Sequence, residues 1–179
     1  ALSIVLGDYY HEDASKLAPR KIVTVPNCAS DPCPDYADKL QVAQQARAKA
    51  LGQALSGGGP LATFHVLYLS LCYRDKGLFD AVDAVAELNG RLQARHLSVR
   101  VQLDVAGRFY LAGEESEFNE RLGQADLNDD HGPLVVYHGF ADEAKKRELL
   151  AQADAFVLAS YYEFEAHPVS LIEAMAHGL

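Results

Sequence analysis

The chain has 179 residues, of which 49% are apolar and 23% charged, and its formal net charge is −9. This composition is ordinary for a globular protein with a core of its own. The negative charge argues against a nucleic acid or an anionic membrane as the main partner, because both repel an acidic surface. No apolar run approaches the ~20 residues that a membrane span requires, so we expect no transmembrane segment.

The cysteines also narrow the class of protein. Cys28, Cys33 and Cys72 are too few for a disulfide scaffold, and reduced thiols are typical of a cytoplasmic protein, which is the location we expect. Cys28 and Cys33 lack the second pair that would complete a zinc site. We therefore predict no zinc site at these cysteines.

The first third of the chain is predicted to hold two strands and one long helix. Leu2–Leu6 is apolar and Lys21–Pro26 is β-branched, so both segments favour strands. Tyr36–Leu55 has apolar side chains at intervals of three and four residues, which indicates an amphipathic helix. The segments 27–35 and 56–60 are rich in proline, glycine and Asx residues and are predicted loops.

From residue 60 onwards, strands and helices alternate in four consecutive units. The predicted strands are Phe64–Ser70, Val99–Ala106, Pro133–Tyr137 and Ala155–Ala159, and the predicted helices are Gly77–Arg95, Gly113–Leu127, Asp142–Gln152 and Pro168–His177. This alternation predicts a parallel sheet with helices on both faces. We therefore expect an α/β fold with a Rossmann-like doubly wound parallel sheet in a domain spanning 60–179, preceded by a lead-in region, 1–59.

Residues that suit a ligand follow the first three strands of this series. Lys76 and Gly77 lie between a strand and a helix, where backbone N–H groups and the helix dipole favour an anion. Gly107 allows a sharp turn after the next strand, and Phe140 could flank a base after the third. Each also has a plain alternative: a solvated lysine, a turn glycine, or a phenylalanine of the core or rim.

The best functional signal is a pair of acids near the end of the chain, Glu165 and Glu173. Glu165 falls in the loop before the last predicted helix and Glu173 on its second turn, with Pro168 suited to the first turn. The two carboxylates could form an acid/base couple, or they could accept hydrogen bonds from sugar or ribose hydroxyls. The alternative is that Glu165 is exposed and Glu173 contacts His177 one turn later. Spacing alone leaves these possibilities open.

The amides that begin the last helix belong to the same candidate site. The N–H groups of Val169, Ser170 and Leu171 are expected to point toward the space between the two acids. Backbone donors at a helix start suit a phosphate. A phosphorylated ligand would therefore meet both the amides and the carboxylates at this edge of the sheet.

The segment Glu165-Ala-His-Pro-Val-Ser-Leu-Ile-Glu173-Ala-Met-Ala-His-Gly resembles the E-x7-E motif of retaining nucleotide-sugar glycosyltransferases of family 4, which have the GT-B fold. The likeness includes the proline three residues after the first glutamate and the Ala-Met-Ala-x-Gly tail. Ala153–Ser160, Leu69–Gly77 and Ile22–Asn27 resemble the strand before that motif, the phosphate loop and the strand leading into the interdomain linker. The resemblance implies a C-terminal donor-binding domain, one half of a GT-B fold.

The resemblance also implies roles for individual residues. Lys76 and Glu165 are implied to be catalytic, Lys76 on the donor diphosphate and Glu165 on hydroxyls of the transferred sugar. Glu173 is implied to bind the ribose, and the backbone near Phe140 to meet the base. The implied donor-binding residues are Lys76, Gly107, Phe140, Glu165, His167, Val169, Ser170 and Glu173. The resemblance implies no metal and no cofactor, since the nucleotide sugar, UDP- or GDP-linked, is the substrate.

Two positions depart from the family pattern: Asn27-Cys-Ala replaces the commoner Asn-Gly-Ile, and the phosphate-loop region differs as well. The family usually has an arginine five residues before the phosphate-loop lysine, and this chain has Leu71 there. Arg74 is near but in a different register. The departure at Leu71 predicts that the diphosphate is bound more weakly or through a different arrangement.

As a whole, the resemblance implies a hexosyltransferase of polysaccharide biosynthesis that acts with retention on a glycan or lipid-linked acceptor. An acceptor-binding N-terminal domain is implied but absent, so the chain looks truncated, and we expect it to be inactive alone. The full-length protein is expected in the cytoplasm, either free or peripheral to a membrane. Two alternatives stay open: a non-catalytic nucleotide-binding module, and a GT-B-type nucleotide-sugar epimerase.

Overall fold

The computed structural model describes residues 2–28, 31–57, 59–163, 165 and 168–179. The strands in these ranges are β1 (Leu2–Val5), β2 (Lys21–Thr24), β3 (Ala62–Leu69), β4 (Val99–Ala106), β5 (Asn128–Asp129), β6 (Gly132–Pro133), β7 (Val135–Tyr137) and β8 (Ala155–Phe156). The helices are α1 (His11–Ser15), α2 (Gln41–Leu55), α3 (Leu78–Ala94), α4 (Ala112–Leu122), α5 (Glu143–Gln152) and α6 (Val169–Ala176). Short turns of 3-10 or π geometry lie at Asp8–Tyr10, Tyr36–Leu40, Arg74–Lys76 and Ala125–Leu127.

The central sheet is parallel and its strand order is β7-β4-β3-β8. The longest pairing joins β3 to β4, from Ala62 opposite Val99 to Leu69 opposite Ala106. The chain winds from β3 through β4 to β7 and then returns to the other side of β3 to form β8. This reversal creates a switch point between β3 and β8, which is where open α/β sheets bind their ligands.

Helices cover both faces of this sheet, as the alternation predicted. The first face is formed by α3 and α4, whose buried side chains pack against alternate residues of β4: Leu78, Val82, Val85 and Phe118 against Val101, Leu103 and Val105. The second face is formed by α5 and α6, where Leu149, Leu150 and Ala174 pack with Leu67 and Ala106. The doubly wound α/β fold is therefore confirmed.

The region before residue 60 contributes a separate parallel pair, β1 with β2, and the helix α2. α2 is tied to the later unit, because Arg47 Nε donates to Asp154 Oδ1 at 2.7 Å and Gln44 Nε2 donates to the His177 carbonyl at 2.7 Å. The division into 1–59 and 60–179 stays a prediction. Nevertheless, the helix assigned to the lead-in region packs on the domain that follows.

Several element boundaries differ from the predicted ones, most by one or two residues, and three of the differences show how the chain departs from the predicted pattern. The predicted helix Gly113–Leu127 ends at Leu122, because the chain turns at Gly123 and continues as a 3-10 turn. Pro133 pairs in the short β5–β6 hairpin instead of beginning β7. The strand predicted over Ala155–Ala159 ends at Phe156; the Val157 N–H still donates to the Leu67 carbonyl, and the Tyr161 N–H then donates to the Asp75 carbonyl in the loop after β3. None of the helices described is both long and apolar enough to cross a membrane.

Candidate functional site

Lys76 and Glu165 form an ion pair across the switch point. Lys76 ends the turn after β3, Glu165 lies in the segment after β8, and Lys76 Nζ is 2.5 Å from Glu165 Oε2. Their side chains are only 13% and 24% exposed. Ser160 Oγ donates to the same carboxylate oxygen at 3.0 Å, and Nζ also lies 4.5 Å from the ring centre of Tyr162. The two residues implied to be catalytic are thus in direct contact.

Gly77 explains how the two loops come this close. Its φ of 75° is in the left-handed region, and a Cβ at this position would lie 2.3 Å from the carbonyl oxygen of Ala159. The loops are also joined by the Tyr161 N–H, which donates to the Asp75 carbonyl at 2.9 Å. Only glycine meets both requirements at residue 77, so the backbone here holds Lys76 next to the segment that carries Glu165.

Gly107, Phe140 and Ser170 share a cavity of about 420 Å³ at the carboxyl edge of the sheet. Leu71 and Arg108 line it as well. A Cβ at Gly107 would lie 1.8 Å from the Ser70 carbonyl oxygen, so a glycine is needed for the loops after β3 and β4 to run side by side. Three of the predicted donor-binding residues are therefore brought together in one concave site of a size typical of small-molecule pockets.

The start of α6 differs slightly from the prediction. The helix begins at Val169, and Pro168 is the residue that precedes it, with φ −67° and extended ψ. The Leu171 N–H donates to the Pro168 carbonyl at 3.1 Å. The expectation that Leu171 offers its amide to a phosphate is therefore wrong, because that amide is used inside the first turn. Val169 is partly exposed there, and His167 lies outside the described residues.

Glu173 does not line the cavity that contains Gly107 and Phe140. Its buried carboxylate accepts a hydrogen bond from Lys146 Nζ at 2.6 Å and lines a second cavity, of about 360 Å³, with residues of the segment that follows β2. His177 contacts Glu173 as the alternative predicted, but through the backbone: its Nδ1 lies 2.8 Å from the Glu173 carbonyl oxygen. The carboxylate itself is held by a lysine.

Lys146 was not found by sequence reasoning. It lies on α5, where Nζ also bonds Glu143 at 2.8 Å. Burial alone would lower the pKa of Lys146, but the hydrogen bonds that its Nζ donates to Glu143 and Glu173 outweigh burial and raise this pKa. The lysine is therefore a stable cation at neutral pH. The three-residue spacing from Glu143 was visible in the sequence, whereas the contact with Glu173 was not.

Arg74 and Arg108 behave differently although both follow strands of the sheet. Arg74 Nη2 donates to both carboxylate oxygens of Glu117 at 2.6 Å, so its charge is held by α4. Arg108 instead lies over the ring of Phe140, with Cζ 4.1 Å from the ring centre. Sequence reasoning singled out the turn glycine before Arg108 and passed over the arginine itself.

Residues 60–179, about two thirds of the chain, match the family model described as glycosyl transferases, group 1. The matched segment contains Lys76, Gly107, Phe140, Glu165 and Glu173. No curated protein matches the chain.

Proposed function

Because this chain belongs to the group 1 glycosyltransferases, we propose that it forms the donor side of a retaining sugar transfer. In this proposal, the carboxyl edge of the sheet binds a nucleotide sugar, a hexose linked to UDP or GDP. The contact between Lys76 and Glu165 carries the proposal, since it sets a cation and a carboxylate side by side at the switch point. A nucleotide sugar has the complementary groups, an anionic diphosphate next to a ring of hydroxyls.

Lys76 is assigned to the diphosphate. When the bond between the anomeric carbon and the phosphate oxygen breaks, negative charge grows on the departing diphosphate. A largely buried ammonium group stabilises that charge more strongly than water does, because it is already oriented and poorly screened. In this assignment the leaving group needs no metal.

Glu165 is assigned to the transferred sugar. The hydrogen bonds from Lys76 and Ser160 both use Oε2 of Glu165, so we assign Oε1 to a sugar hydroxyl. Two fixed contacts on one oxygen orient the other, which lowers the entropy lost when the sugar binds. Each charge-assisted hydrogen bond to a hydroxyl contributes about 1.5–3 kcal/mol.

Glu173 is assigned to the ribose hydroxyls. Lys146 Nζ bonds Oε1 of Glu173 and keeps the carboxylate in one orientation, and we assign Oε2 to the ribose.

Gly107, Phe140 and Ser170 form the wall next to the nucleotide, with the base near the backbone of Phe140. The acceptor, a glycan or a lipid-linked sugar, is assigned to a second domain, so this chain alone binds the donor without transferring it.

The test is calorimetric titration of the 179-residue chain with UDP-, GDP- and ADP-glucose. We expect one base to be preferred and Lys76→Ala to weaken that donor about tenfold, as the loss of one charge-assisted contact predicts. Lys145→Ala is the matched control, because Lys145 pairs with Glu148 on α5 and has no assigned role.

Four results would contradict the proposal. If no donor binds, or if Lys76→Ala binds as the wild type does, the site is assigned wrongly. If the bound donor is converted to its epimer, the epimerase alternative is correct. If the full-length protein binds a donor but transfers its sugar to no glycan or lipid-linked acceptor, the domain is a non-catalytic nucleotide-binding module.

A further inference from the structure

Arg108 is held at the edge of the sheet by its backbone and by one aromatic ring. Its carbonyl accepts a hydrogen bond from the Cys72 N–H at 2.9 Å, which fixes the loop after β4 beside the loop after β3. Its guanidinium carbon lies 4.1 Å from the centre of the Phe140 ring. A planar guanidinium stacked on a ring keeps the N–H donors at its rim free to bind an oxyanion.

The charge of Arg108 is not neutralised by the described part of the protein. Two other cations that follow β3, Arg74 and Lys76, are each paired with a carboxylate, Arg74 with Glu117 and Lys76 with Glu165. Among the described residues, Arg108 contacts Phe140 and has no carboxylate within ion-pair distance. A diphosphate carries two or more negative charges. The pair of Lys76 with Glu165 has a net charge of zero and does not balance them, so a further cation is needed.

The cavity beside Arg108 has room for such an anion. Arg108, Gly107 and Ser170 line the same space of about 420 Å³, and Leu71 adds an apolar wall to it. Arg108 and Leu71 belong to neighbouring loops, so a cation at either position would face the same volume. The positive charge of this cavity therefore comes from Arg108 in the loop after β4, whereas the loop after β3 contributes the apolar Leu71.

We propose that Arg108 binds the donor diphosphate with two parallel hydrogen bonds and supplies the net positive charge of the site. The inference rests on the proposed function, since it concerns the same nucleotide. Phe140 then acts as the support of the guanidinium. Bidentate arginine contacts to phosphate are stronger and more directional than single ones, so this residue sets the preference for a nucleoside diphosphate over a nucleoside.

The experiment compares UDP, GDP and ADP with uridine, guanosine and adenosine in calorimetric titrations of the 179-residue chain. The variants are Arg108→Gln, Arg108→Gln with Leu71→Arg, and Arg95→Gln as an exposed control at the end of α3. We expect Arg108→Gln to weaken the preferred diphosphate by about tenfold or more and its nucleoside by about twofold at most. Adding Leu71→Arg restores a large part of the lost affinity, because it returns the charge to the same cavity.

The outcomes separate this inference from the proposed function. If wild-type chain binds a diphosphate and Arg108→Gln leaves its affinity unchanged, Arg108 is a surface residue and only the inference fails. If Arg108→Gln weakens diphosphate and nucleoside equally, the guanidinium stacks on the base, and the inference fails again. If the wild-type chain binds none of the six compounds, the proposed function and the inference both fail.

Discussion

Lys146 and Glu173 form an ion pair between α5 and α6, with Nζ 2.6 Å from Oε1 and side chains that are 18% and 11% exposed. The pair joins the two helices that cover one face of the sheet. It also fixes Glu173 from a helix outside the segment that carries both Glu165 and Glu173. Removing one partner of a buried pair leaves the other charge without compensation, which is more damaging than weakening the contact.

We predict that Lys146→Met lowers the free energy of unfolding by about 2 kcal/mol, because the Glu173 carboxylate loses its buried partner. Glu173→Gln should cost about 1 kcal/mol, since its amide oxygen still accepts from Lys146. Urea unfolding followed by circular dichroism measures both values.

A double-mutant cycle tests whether these two losses share one cause. Combining Lys146→Met with Glu173→Gln should give a coupling energy of about 1 kcal/mol. Lys145→Met serves as the control, because Lys145 is more exposed and bonds Glu148 on its own helix. If Lys146→Met destabilises the chain no more than Lys145→Met, the contact between the helices contributes nothing measurable.

Glu165→Gln should have opposite effects on two ligands. The substitution removes the charge that neutralises Lys76, so free UDP or GDP should bind a few-fold more tightly. The same change weakens the grip on sugar hydroxyls, so the extra affinity of the nucleotide sugar over the free nucleotide should fall about tenfold. Calorimetric titration with each ligand measures both affinities.

Glu163→Gln is the control for these opposite changes in affinity. Glu163 is exposed and two residues away, so its variant removes the same charge from the same segment. We expect both affinities to stay within about twofold of the wild-type values. A parallel loss for nucleotide and nucleotide sugar in Glu165→Gln would mean that Glu165 positions the site without touching the sugar.

Gly77→Ala tests the close approach at the switch point. The added methyl group would meet the Ala159 carbonyl, and the backbone is left-handed at residue 77, so we expect a loss of about 2 kcal/mol or more in unfolding free energy. Gly90→Ala is the matched control: Gly90 lies inside α3 and a Cβ there has open space, so this variant should gain about 0.5–1 kcal/mol. Equal effects of the two variants would show that the contact of the loops is unimportant.

The part of the fold that could be predicted is the part that depends on the short-range periodicity of apolar residues. The alternating apolar residues of β4 and the amphipathic stripe of α3 both appear in the sequence as short-range periodicities. The sheet layout then follows from the alternation of strands and helices and from the handedness of their crossovers. The same reasoning put Lys76 and Glu165 at one edge, because both follow parallel strands.

The contacts between elements could not be predicted in this way. Whether Lys76 reaches Glu165 depends on a loop path that Gly77 permits, and the two residues are 89 positions apart. Lys146 meets Glu173 because of how α5 and α6 are rotated about their axes, which helical periodicity does not determine. Arg108 reaches Phe140 for a similar reason, since turn residues carry no periodic signal.

Asp104 shows such a cross-element contact inside the sheet and leads to a prediction on pH. Its Oδ2 lies 3.0 Å from His65 Nδ1, and its Oδ1 lies 2.8 Å from His138 Nε2. Burial alone would raise the pKa of Asp104, but the hydrogen bonds and charges of the two histidines outweigh burial and lower this pKa. The folded state therefore binds the proton of Asp104 more weakly than the unfolded chain does.

The sign of the pH dependence follows from this lowered pKa. The stabilisation is fully present above the unfolded-state pKa of about 3.9 and is lost as the pH falls through the lower folded-state value. We predict that Asp104→Asn loses about 1–3 kcal/mol at pH 7, and that its deficit relative to wild type shrinks below about pH 4. Urea unfolding at intervals from pH 3 to pH 8 measures the deficit, with the exposed Asp130→Asn as control. A deficit that stays constant over the whole range would mean that Asp104 stabilises the sheet by packing and not through its charge.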